Sequence, residues 1–359
     1  MSAASENRAV SVVVPVYNRE VLLVRALDSV LAQTYRPVNL IVVDNNSTDG
    51  SLDVARRWAD AHRSADFRVE VLQEPTPGAA AARARGLEQV ITSQVMFFDS
   101  DDAMRPELLA RAMEAFVASP GCRLVNRRGC GHRLDGASFA TSYTDFRGLK
   151  SFLEYHVIHC QLTTNFFMAD TELLRSCGGW DPQVRVWDDW ELGIRLLLRL
   201  MQKQCSAGAA VEITACAKPR AAVQSIPEVL VDQYVQEVSI TGTDYSSKAD
   251  RLIFALERAE ADFASLPAPE VGCSAGVFAR KRIHWLRMML YRRAMLAAAF
   301  RREGRPDLEA RLYPALLDAV DPVGGQRLLN PVGRMLLRAA YAYARRGGRG
   351  AGRVLSRLL

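Results

Sequence analysis

Val95-Met96-Phe97-Phe98-Asp99-Ser100-Asp101-Asp102 runs from apolar strand formers straight into three carboxylates. Such a run reads as a buried strand whose C-terminal tip concentrates negative charge. Like charges this close repel, and stripping water from them is costly. A divalent cation relieves both, and carboxylate oxygens suit Mg²⁺ or Mn²⁺. A cation held by one or two carboxylates completes its shell with water and substrate phosphates. The tip is therefore a candidate site for a phosphate-bearing substrate. A solvated acidic loop capping the next helix fits the same residues.

Upstream of this strand the pattern alternates. Residues 10–16 are a β-branched run, and residues 20–33 carry Leu23, Ala26, Leu27, Val30 and Leu31 at helical spacing. A second apolar run at 40–43 ends in Asp44-Asn45-Asn46-Ser47-Thr48-Asp49-Gly50, a cluster of turn and cap residues. Residues 51–62 read as helix, 69–72 as a short strand, 75–78 as a turn and 79–90 as an alanine-rich helix. Continuous apolar strands alternating with helices predict an α/β fold, with a mostly parallel central sheet flanked by helices. Ligands bind such sheets at the C-terminal strand ends. Tyr17-Asn18, Asp44 and Asp99-Ser100-Asp101 all fall at such ends.

The middle of the chain is mixed. Pro106 is expected at the first position of a helix reaching about Val117. Short strands are expected around Leu124, an extended segment over 161–169, a turn at 178–182 and a helix over 188–202. A strand over 226–231 is expected, with Pro227 near its start. From Ser247 onward only helical patterns remain, over 248–263, 277–302, 306–320 and 331–346. The stretch 346–353 is basic and glycine-rich, and 354–359 is amphipathic.

The chain has 359 residues, a formal charge of +6 and arginine crowded into its C-terminal third. That asymmetry points to an acidic surface or substrate as neighbour. Residues 280–293 interleave Arg with Trp, Leu, Met and Tyr. Such a helix can lie on an anionic bilayer, or it can pack in a bundle with Arg outward. No nucleic-acid motif accompanies the charge, so no nucleic-acid partner is expected. The 7 cysteines are scattered without a C-x-x-C pair, which predicts free thiols in a reducing compartment. No leader pattern and no apolar run of about 18 residues occurs. The expected location is the cytoplasm, either free or peripheral on the inner face of the membrane.

Several side chains have chemistry to offer. Asp44 can accept from the N–H of a nucleobase, or close an Asx-turn. Tyr17 can stack on a base or pack at the strand end. Pro77-Gly78 before a helix lets backbone N–H groups approach an anion. Arg83 and Arg85 on that helix can face phosphates or solvent. Trp187-Asp188-Asp189-Trp190-Glu191 places two carboxylates between tryptophans at a helix start. Partial desolvation there raises a pKa toward that of a general base, while capping of the helix is the plainer use. His156, His159 and Cys160 read as an amphipathic helix rather than a metal site. Arg123, Arg127, Arg128 and Arg133 read as a solvated basic hairpin or as contacts for an anion.

Together these pieces resemble the inverting family 2 glycosyltransferases of the GT-A fold. The matching segments are 12–18, 41–51, 77–86, 97–102, Gly178-Gly179-Trp180-Asp181 and Trp187-Asp188-Asp189-Trp190-Glu191-Leu192, in order, across roughly 10–241. The resemblance implies a GT-A nucleotide-diphospho-sugar transferase fold over 1–241, with a nucleotide-binding half at 1–105 and an acceptor-side half at 106–241. An α-helical, basic C-terminal region would follow over 242–359. It implies a donor site of Pro15, Tyr17, Asn18, Asp44, Gly78, Arg83, Asp99 and Ser100. Asp101, with Asp99, would hold Mg²⁺ or Mn²⁺. Asp189 would be the catalytic base, with Asp188 in support where the family usually has Glu. Ala84 replaces a frequent Asn, and Gln236 stands where many members have a His. Neither a Gln-x-x-Arg-Trp motif nor membrane spans occur, which favours transfer of a single hexosyl or N-acetylhexosaminyl unit. The implied activity is metal-dependent transfer from a nucleotide-sugar, expected to be a UDP-sugar, to a saccharide or lipid-linked acceptor in cell-surface glycan synthesis. The alternative is a degenerate nucleotide-sugar-binding or interaction module without activity.

Overall fold

The computed structural model describes residues 9–140, 152–206, 222–235, 244–265 and 275–348, the stretches 202–206 and 275–280 by backbone alone. The expectations for Gln236, for the thiols of Cys205, Cys216 and Cys273, and for the tail from residue 349 lie outside the described residues. Cys122, Cys130, Cys160 and Cys177 are in no disulfide.

The first part of the chain alternates β1 (Val10–Val16), α1 (Leu23–Leu31), β2 (Val38–Asp44), α2 (Ser51–His62), β3 (Phe67–Gln73), α3 (Ala79–Glu88) and β4 (Gln94–Phe97). β1 and β2 are buried along their whole length, as strands covered on both faces must be. All four strands run parallel, in the order β3-β2-β1-β4. α1 starts at Leu23 rather than at residue 20. The Glu20 carboxylate accepts from the Gly50 N–H and the Ser51 hydroxyl accepts from Arg19 N, so 19–22 serve as a turn tied to the next loop. Pro15 sits within β1, and its missing N–H falls on the side where β4 has already ended: Val13 O accepts from Phe98 N just past that strand. Gly86 marks where α3 crosses β1; a Cβ there would lie 2.3 Å from Val13 Cγ1.

Beyond β4 come β5 (Ala103–Met104), α4 (Leu108–Ala118), β6 (Leu124–His132), β7 (Ser138–Ala140), α5 (Phe152–Ile158), β8 (Phe167–Asp170), α6 (Thr171–Ser176), α7 (Asp188–Ser206) and β9 (Val223–Tyr234). The sheet continues from β4 through β8, β6 and β9 to β5, with β7 paired to β6. Two expectations change here. Pro106 precedes α4 instead of starting it: its carbonyl accepts from Thr34 N, and Arg105 N donates to Leu230 O. Pro227 lies inside β9, not near its start. The register skips from Arg127↔Ile226 to Arg128↔Val229, so Pro227 and Glu228 form a bulge that needs no ladder N–H.

The described residues of Met1–Phe146, Gln161–Arg199 and Ile213–Ser239 form one compact unit, and those of Arg147–Cys160, Leu200–Glu212 and Ile240–Leu359 a second. α5 and the end of α7 belong to the second unit. There α8 (Ala249–Ser265), α10 (Pro306–Leu316), α11 (Pro331–Arg345) and α5 all pack on α9 (Ala275–Arg302). α9 is consequently the axis of the bundle. Its Trp285, Met288, Met289 and Tyr291 are buried. Three of its arginines turn to partners: Arg282 to Asp321 (2.7 Å), Arg292 to Ile158 O (2.7 Å) and Arg293 to Glu260 (2.5 Å). α10 stops at Leu316, short of residue 320, and the buried Asp321 carboxylate closes the following turn on Val323 N and Gly324 N. No helix among the described residues is long and apolar enough to cross a membrane.

Candidate active site

Parallel pairing brings the C-terminal tips of β1, β2 and β4 to one edge of the sheet, and side chains stitch the loops there. Ser47 Oγ accepts from Asn18 N (3.1 Å), and Asn18 Oδ1 accepts from Thr48 N (2.8 Å). Asn18 itself has φ 50°, which Asn tolerates. Asn45 joins the β2 tip to the loop before α3, accepting from Gly78 N (2.7 Å) and donating to Thr76 O (2.7 Å). Gly78 takes φ 131°, a region effectively reserved for glycine. Around this frame Pro15 is buried in its strand, while Tyr17 is 52% exposed. Asp44 is buried and its Oδ1 has no hydrogen-bond partner. A buried, unmatched acceptor at a strand tip suits a donor N–H from a ligand.

One guanidinium ties the acidic tip to the second acidic cluster. Arg83, buried on α3, reaches Asp99 Oδ1 at 2.8 Å and Asp188 Oδ2 at 2.6 Å. It stacks 4.7 Å above the Trp180 ring, which packs edge-on against Phe97. The two carboxylates hold the Arg83 pKa above its ordinary value despite burial. Arg85 instead pairs with Glu88 on the outer face, as a solvated arginine does.

α7 is set in place from below. Gly178 and Gly179 both have positive φ, and Arg195 donates to Cys177 O and Gly179 O while its fork grips buried Glu191. Trp187 enters the helix at φ 58°, an uncommon backbone state for a bulky residue. Directly after it, burial pushes the Asp188 carboxyl up, against the pull of Arg83. Burial and the adjacent Asp188 push Asp189 up to about 7. Asp189 Oδ1 also accepts from Trp190 N (2.7 Å).

Asp101 pairs with Arg19 (3.2 Å), and Arg25, stacked on Tyr234, donates to the Asp101 carbonyl. Burial and neighbouring Asp99 raise the Asp101 pKa. Ser100 is buried. Asp102 is buried, accepting from Tyr234 N (2.8 Å) and from the Asn165 side chain. Burial, then Asp99 and Asp101, push it up to about 8. Asn165 Oδ1 in turn accepts from Asp99 N (2.7 Å).

Arg127 is neither solvated nor free for an anion. It is buried, donates to Asn165 O and Phe167 O, and desolvation pulls its pKa down to about 9. Arg19, Arg25, Asn165 and Arg195 shape the site although the sequence motifs do not include them, and Trp180, quoted above within its turn, supplies the ring under Arg83. Asn165 acts through long-range contacts that no local pattern announces.

Asp99 and Asp101 offer hard oxygen ligands that repel one another, each beside an arginine, a donor set that fits Mg²⁺ or Mn²⁺. A three-ligand cluster forms elsewhere among the described residues, at Cys130, His132 and Asp232. Cys130 and His132 alternate on β6, and Asp232 faces Cys130 in register. Asp232 is already matched by His132 (2.9 Å) and Arg105 (3.1 Å), which lower its pKa, so this cluster is satisfied without a cation. His156, His159 and Cys160 form no such cluster among the described residues.

A mostly parallel sheet whose strand tips are tied to a helix-borne carboxylate pair is the arrangement of the GT-A fold. Residues 11–171 match the family model described as glycosyl transferase family 2. Streptococcus pneumoniae glycosyltransferase GlyA is 37% identical over 93 residues, covering 26% of this chain and 13% of the relative. Haloferax volcanii glycosyltransferase AglE is 30% identical over 143 residues, covering 39% and 46%. The chain spans less than half the length of these relatives. The fold is similar to S. aureus TarS 1-349 in complex with UDP-GlcNAc, with a TM-score of 0.65 and 16% identity over 97% of this chain and 90% of that one. It is also similar to mannosyltransferase PcManGT from Pyrobaculum calidifontis in complex with GDP-Man and Mn2+, with a TM-score of 0.50 and 20% identity over 97% and 85%.

Proposed function

We propose that the protein is an inverting, metal-dependent glycosyltransferase. It moves one hexosyl or N-acetylhexosaminyl unit from a nucleotide-diphosphate sugar, a UDP-sugar in the first instance, to a saccharide or lipid-linked acceptor of a cell-surface glycan. The Asp99–Arg83–Asp188 bridge carries this reading, because it holds the phosphate-side acids and the base-side acids in one polar cluster. Asp44 accepts from the base, Tyr17 stacks on it, and Pro15, Asn18, Gly78 and Ser100 shape the donor pocket. Asp99 and Asp101 would hold the divalent cation, which supplies countercharge for the departing diphosphate. Asp189, pushed up to about 7, takes the proton from the acceptor hydroxyl. Asp188, neutralised by Arg83, keeps that carboxylate oriented. Attack from the face opposite the leaving group inverts the anomeric carbon.

Calorimetry with UDP, GDP and dTDP, with and without Mn²⁺, tests the reading; the panel spans the nucleotides held by the two fold neighbours. One nucleotide is expected to bind in a Mn²⁺-dependent manner. Absence of such binding for all three overturns the proposal. Arg19 bears on the same experiment, since its guanidinium pairs with Asp101 where a cation would sit. Arg19→Gln is expected to tighten Mn²⁺ binding to the nucleotide-free protein by about fivefold, the worth of an ion pair of roughly 1 kcal/mol. Electron spin resonance of free Mn²⁺ reads this directly.

A further inference from the structure

α11 buries one face and leaves a second apolar stripe uncovered. Leu337, Ala340, Tyr341 and Ala344 turn inward, and Tyr341 stacks on Tyr313 and donates to Glu309. On the outward side Val332 is 58% exposed, Met335 60% and Tyr343 51%, with Ala339 and Ala342 exposed between them. Steps of three, four, three and one place these five on a single stripe about 100° wide. Arg334, Arg338 and Arg345 follow one another along its flank, and Arg346 continues past the helix end. Arg338, Arg345 and Arg346 are exposed and meet no carboxylate among the described residues. Arg334 approaches one, Asp318, at 4.0 Å. From Pro331 to Leu359 the sequence has seven arginines and not one Asp, Glu or Lys.

We infer that the outward face of α11 is a docking surface for an anionic lipid bilayer. An apolar stripe with Val, Met and Tyr inserts at the level of the headgroups, and flanking arginines reach their phosphates. Charge complementarity selects this occupant. A second copy would bring the same arginines and no acid to answer them. A nucleic acid would leave the stripe uncovered. The surface belongs to the second unit and is independent of the nucleotide site, so failure here leaves the transferase reading intact. If both hold, the enzyme meets a lipid-linked acceptor at the plane where that acceptor resides.

Flotation and titration of the full chain with phosphatidylcholine vesicles, with and without phosphatidylglycerol, test the inference. Binding is expected to the anionic vesicles alone and to fall as salt rises. Arg338→Ala and Arg345→Ala are each expected to weaken partitioning about fivefold. Met335→Ser combined with Val332→Ser is expected to weaken it about tenfold or more. All four positions are exposed, so melting temperature and nucleotide binding are expected to stay unchanged. No flotation, equal flotation with neutral vesicles, or flotation unaffected by both sets of variants overturns the inference. So does a concentration-dependent dimer that the Met335→Ser pair abolishes, which assigns the face to a second copy.

Discussion

Asp189→Asn is expected to lower turnover by roughly 10²–10⁴-fold, the usual contribution of a positioned base, while Mn²⁺-dependent nucleotide binding persists. The carboxyl is held near 7 by burial and by Asp188. Wild-type kcat is accordingly expected to rise with pH and level off above about 7, because only the ionised form accepts a proton. The residual activity of the variant should lack that limb. A stability effect of opposite sign accompanies the loss. A raised carboxyl pKa means that the folded state disfavours the charge relative to the unfolded chain, whose Asp titrates near 3.8. That penalty is full above about pH 7 and shrinks as pH falls toward 4. Asn has no charge to bury, so the variant should melt higher than wild type at pH 8, with the gain shrinking at lower pH. Loss of nucleotide binding in this variant would move Asp189 out of the base role.

Arg83→Ala is expected to damage both the fold and the site. It strands Asp99 and Asp188, each within 2.8 Å of the same buried guanidinium, beside Asp189. Breaking a buried ion pair from one side costs about 3–5 kcal/mol. Asp99 keeps some solvent access, which puts the expected loss nearer about 3 kcal/mol. The loss should be largest at pH 8 and smaller at pH 5, because burial already pushes the Asp188 carboxyl up toward its neutral form. Arg83→Lys keeps the charge but cannot fork to two carboxylates while lying flat on Trp180, so it should recover only part of the melting temperature. Melting curves at both pH values, with nucleotide titration, measure this. A variant as stable as wild type would show that the bridge contributes nothing to the fold.

The alternating half was legible because its signals are local. β1 and β2 are unbroken apolar runs, α2 appears with its expected limits, and each strand ends in recognisable turn chemistry. The order of the later strands was not legible. β8 and β6 join β4 through antiparallel pairs contributed by distant segments. The acidic clusters were visible as clusters, but their connection was not, since Arg83 lies 105 residues from Asp188 along the chain. Arg127 was misread for a related reason. Neighbouring arginines suggest a wet hairpin, whereas the strand's alternation turns this one into the interior against Asn165 and Phe167 carbonyls. The partners of Arg282, Arg292 and Arg293 were not legible either, because sequence shows which residue types are present, not which carboxylates and carbonyls await them.

The bulge at Pro227 also bears on solubility. β9 is twelve residues long, yet its outer neighbour β5 pairs only with Val231 and Asp232. The outer side of 223–229 meets no strand among the described residues, and an open, straight edge of that length is a template on which another chain can add a strand. The extra residues Pro227 and Glu228 bend and twist the strand there, and Glu228 is held by Arg111. Placed there, the irregularity guards a long sheet margin against self-association.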